Sequence, residues 1–345
     1  MQKHKTDNNT ENEWYTRLPM TNNNTLCLTI MFSIVLSAFI LSTSISLNMI
    51  SSVASAVKQQ NQAIKSNVNG NNGTNTNKNN KLAILTFGDT KESQFTTAKP
   101  IFDKYGFKAS FFITCNFVGH NKGELMDWTD ILALQDDGQD IESKGMTHRN
   151  LVNLSSADLD FEIGGSKRCL EDHGINSPTI FAVVHGNAWS NPTIIDTIAK
   201  YYSFADNGFA DLLFLHCDGY TQQKSMPQTD CRTYTDDGKL TFANRYSIRE
   251  DSHNALDQNY LHDDQKIFSL FVEQVNSQLK YNKNGEINAI PIVAYHSIDD
   301  SKSPASTDVN LFEAEMQYLY ENGFSVIPMS DLGYDQNTNY LYIKH

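Results

Sequence analysis

One aspartate and three histidines stand just beyond runs of buried-type residues. Asp89 follows "LAILTF", His148 lies in "DIESKGMTHRNL", His185 follows "TIFAVV", and His296 follows "PIVAY", with Asp299 and Asp300 close behind. Aspartate and histidine are the side chains that hold divalent metals and move protons near neutral pH. Each has a plainer reading too. An Asp after a strand is a turn former or helix cap, and a lone His is more often structural than a ligand. Four at successive strand ends weigh more than any one of them. One detail is odd: Gly88 stands beside Asp89, where a second carboxylate would make an acid–base pair.

The elements that must position these residues alternate along the chain. "LAILTF", "ASFFIT", "QDIES", "PTIFAVV", "AIPIVAY" and "FSVIPM" read as strands. Between them lie helix-like stretches around "FTTAKPIFDKYG", "WTDILALQDDG", "SSADLDFEIGGSKRCLEDHG", "NPTIIDTIAKYY", "DDQKIFSLFVEQVNSQLKYN" and "NLFEAEMQYLYENG". Such alternation predicts βα units around a parallel sheet, and about seven of them in one body predict a barrel. In a barrel the chemistry sits at the carboxyl ends of the strands. The glycine pair in "EIGGSK" weakens the helix expected there.

Residues 1–25 form a polar leader, and Leu26 to Ile50 run without a charge. That length spans a bilayer, so 26–50 is expected as a transmembrane anchor or, if cleaved near Ala54–Ala56, a signal segment. The Asn-rich stretch within 51–80 cannot bury enough surface to offset its chain entropy and reads as a flexible linker. The folded domain is expected over 81–345, outside the cytoplasm. With 40 acidic against 27 basic residues and a net charge of −13, a nucleic-acid partner is excluded for want of a basic patch. Cys217 and Cys231 bracket a loop-like segment and are expected to pair, while Cys115 and Cys169 read as buried thiols. "NGT" at Asn72 and "NLS" at Asn153 match the N-glycosylation acceptor pattern. Trp128, Trp189 and Tyr220 are candidates for stacking on sugar rings.

Over roughly residues 81–330 the sequence resembles the polysaccharide deacetylase family, carbohydrate esterase family four, also called the nodulation-deacetylase homology domain. The resemblance is carried by "LTFGDTKES", "AKPIFDKYGFKASFFI", "DIESKGMTHRNL" and "TIFAVVHG". The tail "PIVAYHSIDD" to "FEAEMQYLYENGFSVIPMSDL" resembles a segment that many bacterial members place before the first motif, as a circular rearrangement would produce. Membership implies an α/β fold, a distorted (β/α) barrel. It also implies removal of acetyl groups from sugar polymers with zinc or a similar divalent ion.

The family's first motif is typically T-F-D-D-G, its first Asp the general base and its second a metal ligand beside two His of H-T-x-x-H. Aligned on those motifs, Gly88 stands at the base position, Asp89 at the metal-ligand position, and Thr90 at the final glycine. Lys144 falls on the first His ligand and His148 on the second. Where relatives carry an Arg that orients the base, Phe181 is followed by Ala182. Losing a base costs about 10²–10⁴-fold in rate, and a lysine ammonium repels a divalent cation. A Lys144–Asp89 ion pair is therefore expected, possession of a metal is in doubt, and catalysis is expected to be lost or strongly weakened, with carbohydrate binding retained. The alternative keeps a metal on Asp89 and His148, recruits His185 or His296 as third ligand, and uses an acid such as Asp299 as base. His296 is the candidate acid, and His185 and Trp189 are the candidate substrate contacts.

Overall fold

The run Leu82–Gly88 is buried at every residue and forms β1, the central strand of a parallel sheet. The computed structural model describes residues 80–188, 191–216, 245–253, 263–301, 303–338 and 340–344. The expected membrane segment, linker residues 51–79, the Cys217–Cys231 pairing, Trp189 and Tyr220 lie outside these residues. Among the described residues no helix is long and apolar enough to cross a membrane.

After β1 come β2 (Ser110–Ile113), β3 (Asp140–Ser143), β4 (Ile180–Ala182), β5 (Phe204–Phe209), β6 (Ile248–Ser252) and β7 (Ile292–Tyr295). They pair in that order, all parallel, and β7 returns to β1 through Ile84–Phe87, closing a seven-stranded ring. The barrel expected from the alternation is the one observed. β8 (Ser325–Ile327) is not part of the ring and pairs only with Leu82–Ile84 at the start of β1. A terminal hairpin that the sequence reading did not foresee, β9 (Leu332–Asp335) with β10 (Tyr340–Ile343), follows it.

Alternation along each strand separates two apolar layers. Ile84, Phe112, Ile180, Ala182, Phe204, Ile248 and Ile292 share one buried cluster drawn from six of the seven ring strands, which is the barrel interior. Residues of opposite parity, such as Phe181, Val183 and Ala205, pack outward with Ile194 and Ile198 of a surrounding helix. Burying each large apolar side chain contributes about 2 kcal/mol. The parity of the floor places Thr86 and Gly88 inward on β1, Asp206 inward on β5, and Glu250 inward on β6.

The helices follow local rules. α1 (Lys99–Asp103) continues from a π-helical turn at Gln94–Ala98. α2 (Trp128–Asp136) opens on a capping box between Asp127 and Asp130. The helical stretch 156–172 runs through a π-turn, Asp160–Gly164, into α3 (Gly165–Asp172). Its glycines do not end it. Gly164 lies under the ring of Tyr201, where a Cβ would come within 2.5 Å of Tyr201 Cζ, so the missing side chain admits a close contact. α4 (Pro192–Tyr201) begins with proline after an Asn191 cap. α5 (Asp264–Ser277) buries Phe268, Phe271, Val272 and Val275, and α6 (Val309–Glu321) buries Leu311, Phe312, Met316 and Leu319.

Cys115 and Cys169 are joined by a disulfide, with Cα atoms 6.5 Å apart, and so are not the free thiols expected. The backbone at Cys115 and Asn116 donates to the carbonyls of Gly145 and Met146. The disulfide therefore ties α3 to the segment that braces the Lys144–His148 loop.

Candidate active site

Asp89 leaves β1 with φ of 70°, and Thr90 follows at 58°. A β-branched residue in the left-handed region is strained, so Thr90 costs on the order of 1–3 kcal/mol. Thr90 is held there by accepting a 2.9 Å hydrogen bond from Thr114 N. His148 (φ 60°) and His185 (φ 65°) share the unusual conformation. Backbone strain thus concentrates at the carboxyl end of the ring.

The loop carrying Lys144 and His148 hangs from the end of β3, where Lys144 N donates to Ile113 O at 2.8 Å. Buried Glu162 fixes its far side by accepting from Met146 N (3.1 Å), Thr147 N (2.9 Å) and the Thr147 hydroxyl. The expected pair forms: Lys144 Nζ is 3.2 Å from Asp89 Oδ1. A Cβ on Gly88 would lie 2.6 Å from the same Nζ. The lysine ammonium therefore fills the space where a side chain at position 88 would begin.

His148 Nε2 comes to 2.9 Å of Asp89 Oδ1, but the approach is misdirected, and both atoms are buried without a well-formed hydrogen bond. Phe117 stacks on the His148 ring at 5.8 Å. His296 Nε2 faces the other carboxylate oxygen at 3.8 Å. His185 is exposed, its ring edge-on to His148 at 6.4 Å. A catalytic zinc takes three protein ligands. His148, His296 and Lys144 all face Asp89, and among the described residues no three His, Cys, Asp or Glu side chains form a metal-holding group. The Lys144 ammonium stands against the Asp89 carboxylate on which His148 and His296 converge. Asp299, the base in the alternative scheme, is engaged elsewhere, accepting from Ser301 N (2.9 Å) and Ser306 Oγ (2.7 Å). Trp128 stacks on His173 at 3.9 Å.

Two inward acids escaped the sequence reading because their strands did. "FADNGF" and "IREDS" look polar, yet they are β5 and β6. Asp206 is 4% exposed, and Glu250 accepts from Thr86 Oγ1 at 2.9 Å. The usable signal was an aromatic or β-branched residue two places before each acid, on the same face.

The electrostatics follow from this crowding. Burial would raise the Asp89 carboxyl, but the Lys144 ammonium, with His148 and His296, holds it far below the usual carboxylate range. Burial disfavours charge on Lys144, yet Asp89, Glu250 and Asp206 outweigh it and raise the ammonium above its ordinary value. Burial and then the charge of Glu250 push the Asp206 carboxyl well above the usual carboxylate range. His296 is pushed down to about 4, by burial first and Lys144 second.

That last shift makes a pH prediction. An unfolded histidine takes up its proton near pH 6.5, whereas folded His296 refuses it until about 4. Its contribution to stability is complete above 6.5 and is lost as pH falls toward 4, by roughly 3 kcal/mol at 1.36 kcal/mol per unit. Asp251, pushed up to about 6 by burial, acts with opposite sign but cancels between two variants that both carry it. Unfolding of wild type and His296→Gln should therefore converge as pH drops from 7 to 4.5; parallel profiles would refute the assignment.

Gln94 sets the approach of His296 to Gly88. Its amide donates to the carbonyls of both Gly88 and His296, bridging the ends of β1 and β7. Gln94→Leu leaves two carbonyls unsatisfied and should cost about 1–3 kcal/mol, read as a lower urea midpoint at unchanged slope.

A closed parallel ring with its strained Asp and His residues at the carboxyl ends of the strands defines a (β/α)-barrel protein with one functional rim. Residues 75–202 match the family model for polysaccharide deacetylase, and the chain carries a domain of that family. No curated protein matches the chain. Among solved structures, the Streptococcus pyogenes deacetylase PplD is 20% identical, with TM-score 0.34, over 36% of this chain and 54% of its own, about half its length. The Xyl-CE4 domain of a multidomain xylanase from the Trinervitermes trinervoides hindgut metagenome is 17% identical, with TM-score 0.45, over 73% and 89%. A family 4 carbohydrate esterase from Streptomyces lividans is 13% identical, with TM-score 0.44, over 77% and 99%.

Proposed function

We propose that this protein is a carbohydrate-binding member of the polysaccharide deacetylase family in which metal-dependent deacetylation is lost or strongly weakened. The observation that carries the reading is the seat of Lys144, whose Nζ is 3.2 Å from Asp89 Oδ1 and 2.6 Å from where a Cβ at position 88 would be. One ammonium thus stands against a metal ligand and in the space of the base. On this reading Asp89 and His148 are inherited metal positions turned to ion pairing. His296, neutral at pH 7, lines the pocket. His185 contacts sugar at the rim, Trp189 is a further candidate sugar contact, and residues 26–50 anchor the domain outside the cytoplasm through the linker.

The test is binding and turnover by the full-length protein with acetylated amino-sugar oligomers and added zinc. The oligomer should bind, while acetate release should run at least about 10²-fold below an ordinary deacetylase. Turnover at ordinary rates would favour the second reading, a rebuilt metal site. In its favour, His148 Nε2 lies 2.9 Å from Asp89 Oδ1 and His296 Nε2 lies 3.8 Å from Asp89 Oδ2.

A further inference from the structure

We propose that the barrel mouth is a cation site built by carboxyl groups from three strands, Asp89, Asp206 and Glu250, and that the Lys144 ammonium is its tethered occupant. This rests on the reading of Lys144 above and adds what holds the lysine there. Asp89 touches the ammonium from the end of β1. Below it, inward on β5 and β6, lie the acids that act on it next, Glu250 more strongly than Asp206. Thr86 Oγ1 orients Glu250 from β1 at 2.9 Å.

Asp206 points to a seat rather than a chance cluster. It is 96% buried, shares the inward face of Phe204, and leaves Oδ1 without a hydrogen-bond partner. Burying Asp206 beside the part-buried Glu250, above an apolar floor, is costly, and a cation close by offsets that cost. Ala182, level with Asp206 on β4, keeps that side of the mouth clear of any long side chain. The seat thus supplies the pocket with one fixed positive charge, independent of metal supply.

If this is right, removing the tether leaves a vacated cation site that a small free cation can fill. In the full-length protein, Lys144→Ala should lower the melting temperature by roughly 5–10 °C. Ethylammonium chloride should restore part of that loss, beyond what sodium chloride of equal ionic strength does, and should leave wild type unchanged. Adding Glu250→Gln should also recover stability, because the stranded charge is gone. A Lys144→Ala variant that melts with wild type, or gains nothing from ethylammonium or from Glu250→Gln, overturns the proposal. Should Lys144→Ala not fold, the Lys144→Ala/Glu250→Gln/Asp206→Asn variant reads the same coupling: recovery of folded protein supports the seat, and its absence overturns it. Wild-type zinc content tests the underlying reading separately. A metal-free wild type with no cation response in Lys144→Ala keeps that reading and loses this one.

Discussion

Lys144→His should convert the full-length protein from one that retains no zinc into one that binds a single zinc ion tightly. The geometry is nearly in place, since Asp89 Oδ1 and His148 Nε2 lie 2.9 Å apart and Oδ1 otherwise faces the Lys144 ammonium that the substitution removes. Ligand atoms about 2.0–2.1 Å from a tetrahedral ion sit roughly 3.3 Å from each other, so this pair needs only a small adjustment. The substitution removes the competing ammonium and supplies the third donor on a loop braced by Glu162. A third ligand worth several kcal/mol raises affinity by at least about 10²-fold. The acids of the seat assist, because zinc replaces the charge that Lys144 supplied to Asp206 and Glu250. Metal analysis after dialysis against weak chelator checks this, with Asp89→Ala in the same background expected to abolish the gain. A Lys144→His protein that still returns metal-free would mean that the loop cannot deliver its side chain to Asp89.

Adding Gly88→Asp to Lys144→His should then raise deacetylation of an acetylated amino-sugar oligomer by about 10²–10⁴-fold, the usual contribution of a positioned base. The order of substitution matters for a steric reason. With Lys144 present, a Cβ at position 88 lies 2.6 Å from its Nζ, so the lysine tip shifts and the new aspartate pairs with the ammonium instead of serving as a free base. Gly88→Asp alone should therefore give no rise. Ala182→Arg, facing Asp206 across the β4–β5 register, should add a further increase by orienting the new base. Initial rates of acetate release in the four single and double backgrounds read the interaction directly. Equal gains from Gly88→Asp with and without Lys144→His would show that base and lysine do not share space.

The barrel was legible because its outer layer is made of long periodic helices and its first strands are uniformly apolar. β1 reads as "LAILTFG", buried throughout, and α5 places Phe268, Phe271, Val272 and Val275 three and four residues apart. The Lys144–Asp89 pair was legible from motif alignment alone, since two opposite charges fell on positions that must converge. What the sequence hid was polar and inward. "FADNGF" and "IREDS" fail the test for a buried strand because their interior face carries acids whose partner is distant in the chain. No local pattern announces that Lys144 compensates Asp206 and Glu250. The Cys115–Cys169 bond was missed for a related reason: the two are 54 residues apart and meet only because α3 packs back over the end of β2. Glu162, in a helix that looked interrupted by glycines, gave no hint that its carboxylate holds the Lys144–His148 loop.

The central claim is that an ammonium stands where relatives in this family hold a metal. Zinc content tests it most directly. Full-length wild-type protein is equilibrated with zinc, dialysed exhaustively and assayed beside Asp89→Ala. The account predicts far less than one zinc per chain and no difference between the two proteins. One tightly held zinc per wild-type chain, lost in Asp89→Ala, would contradict it.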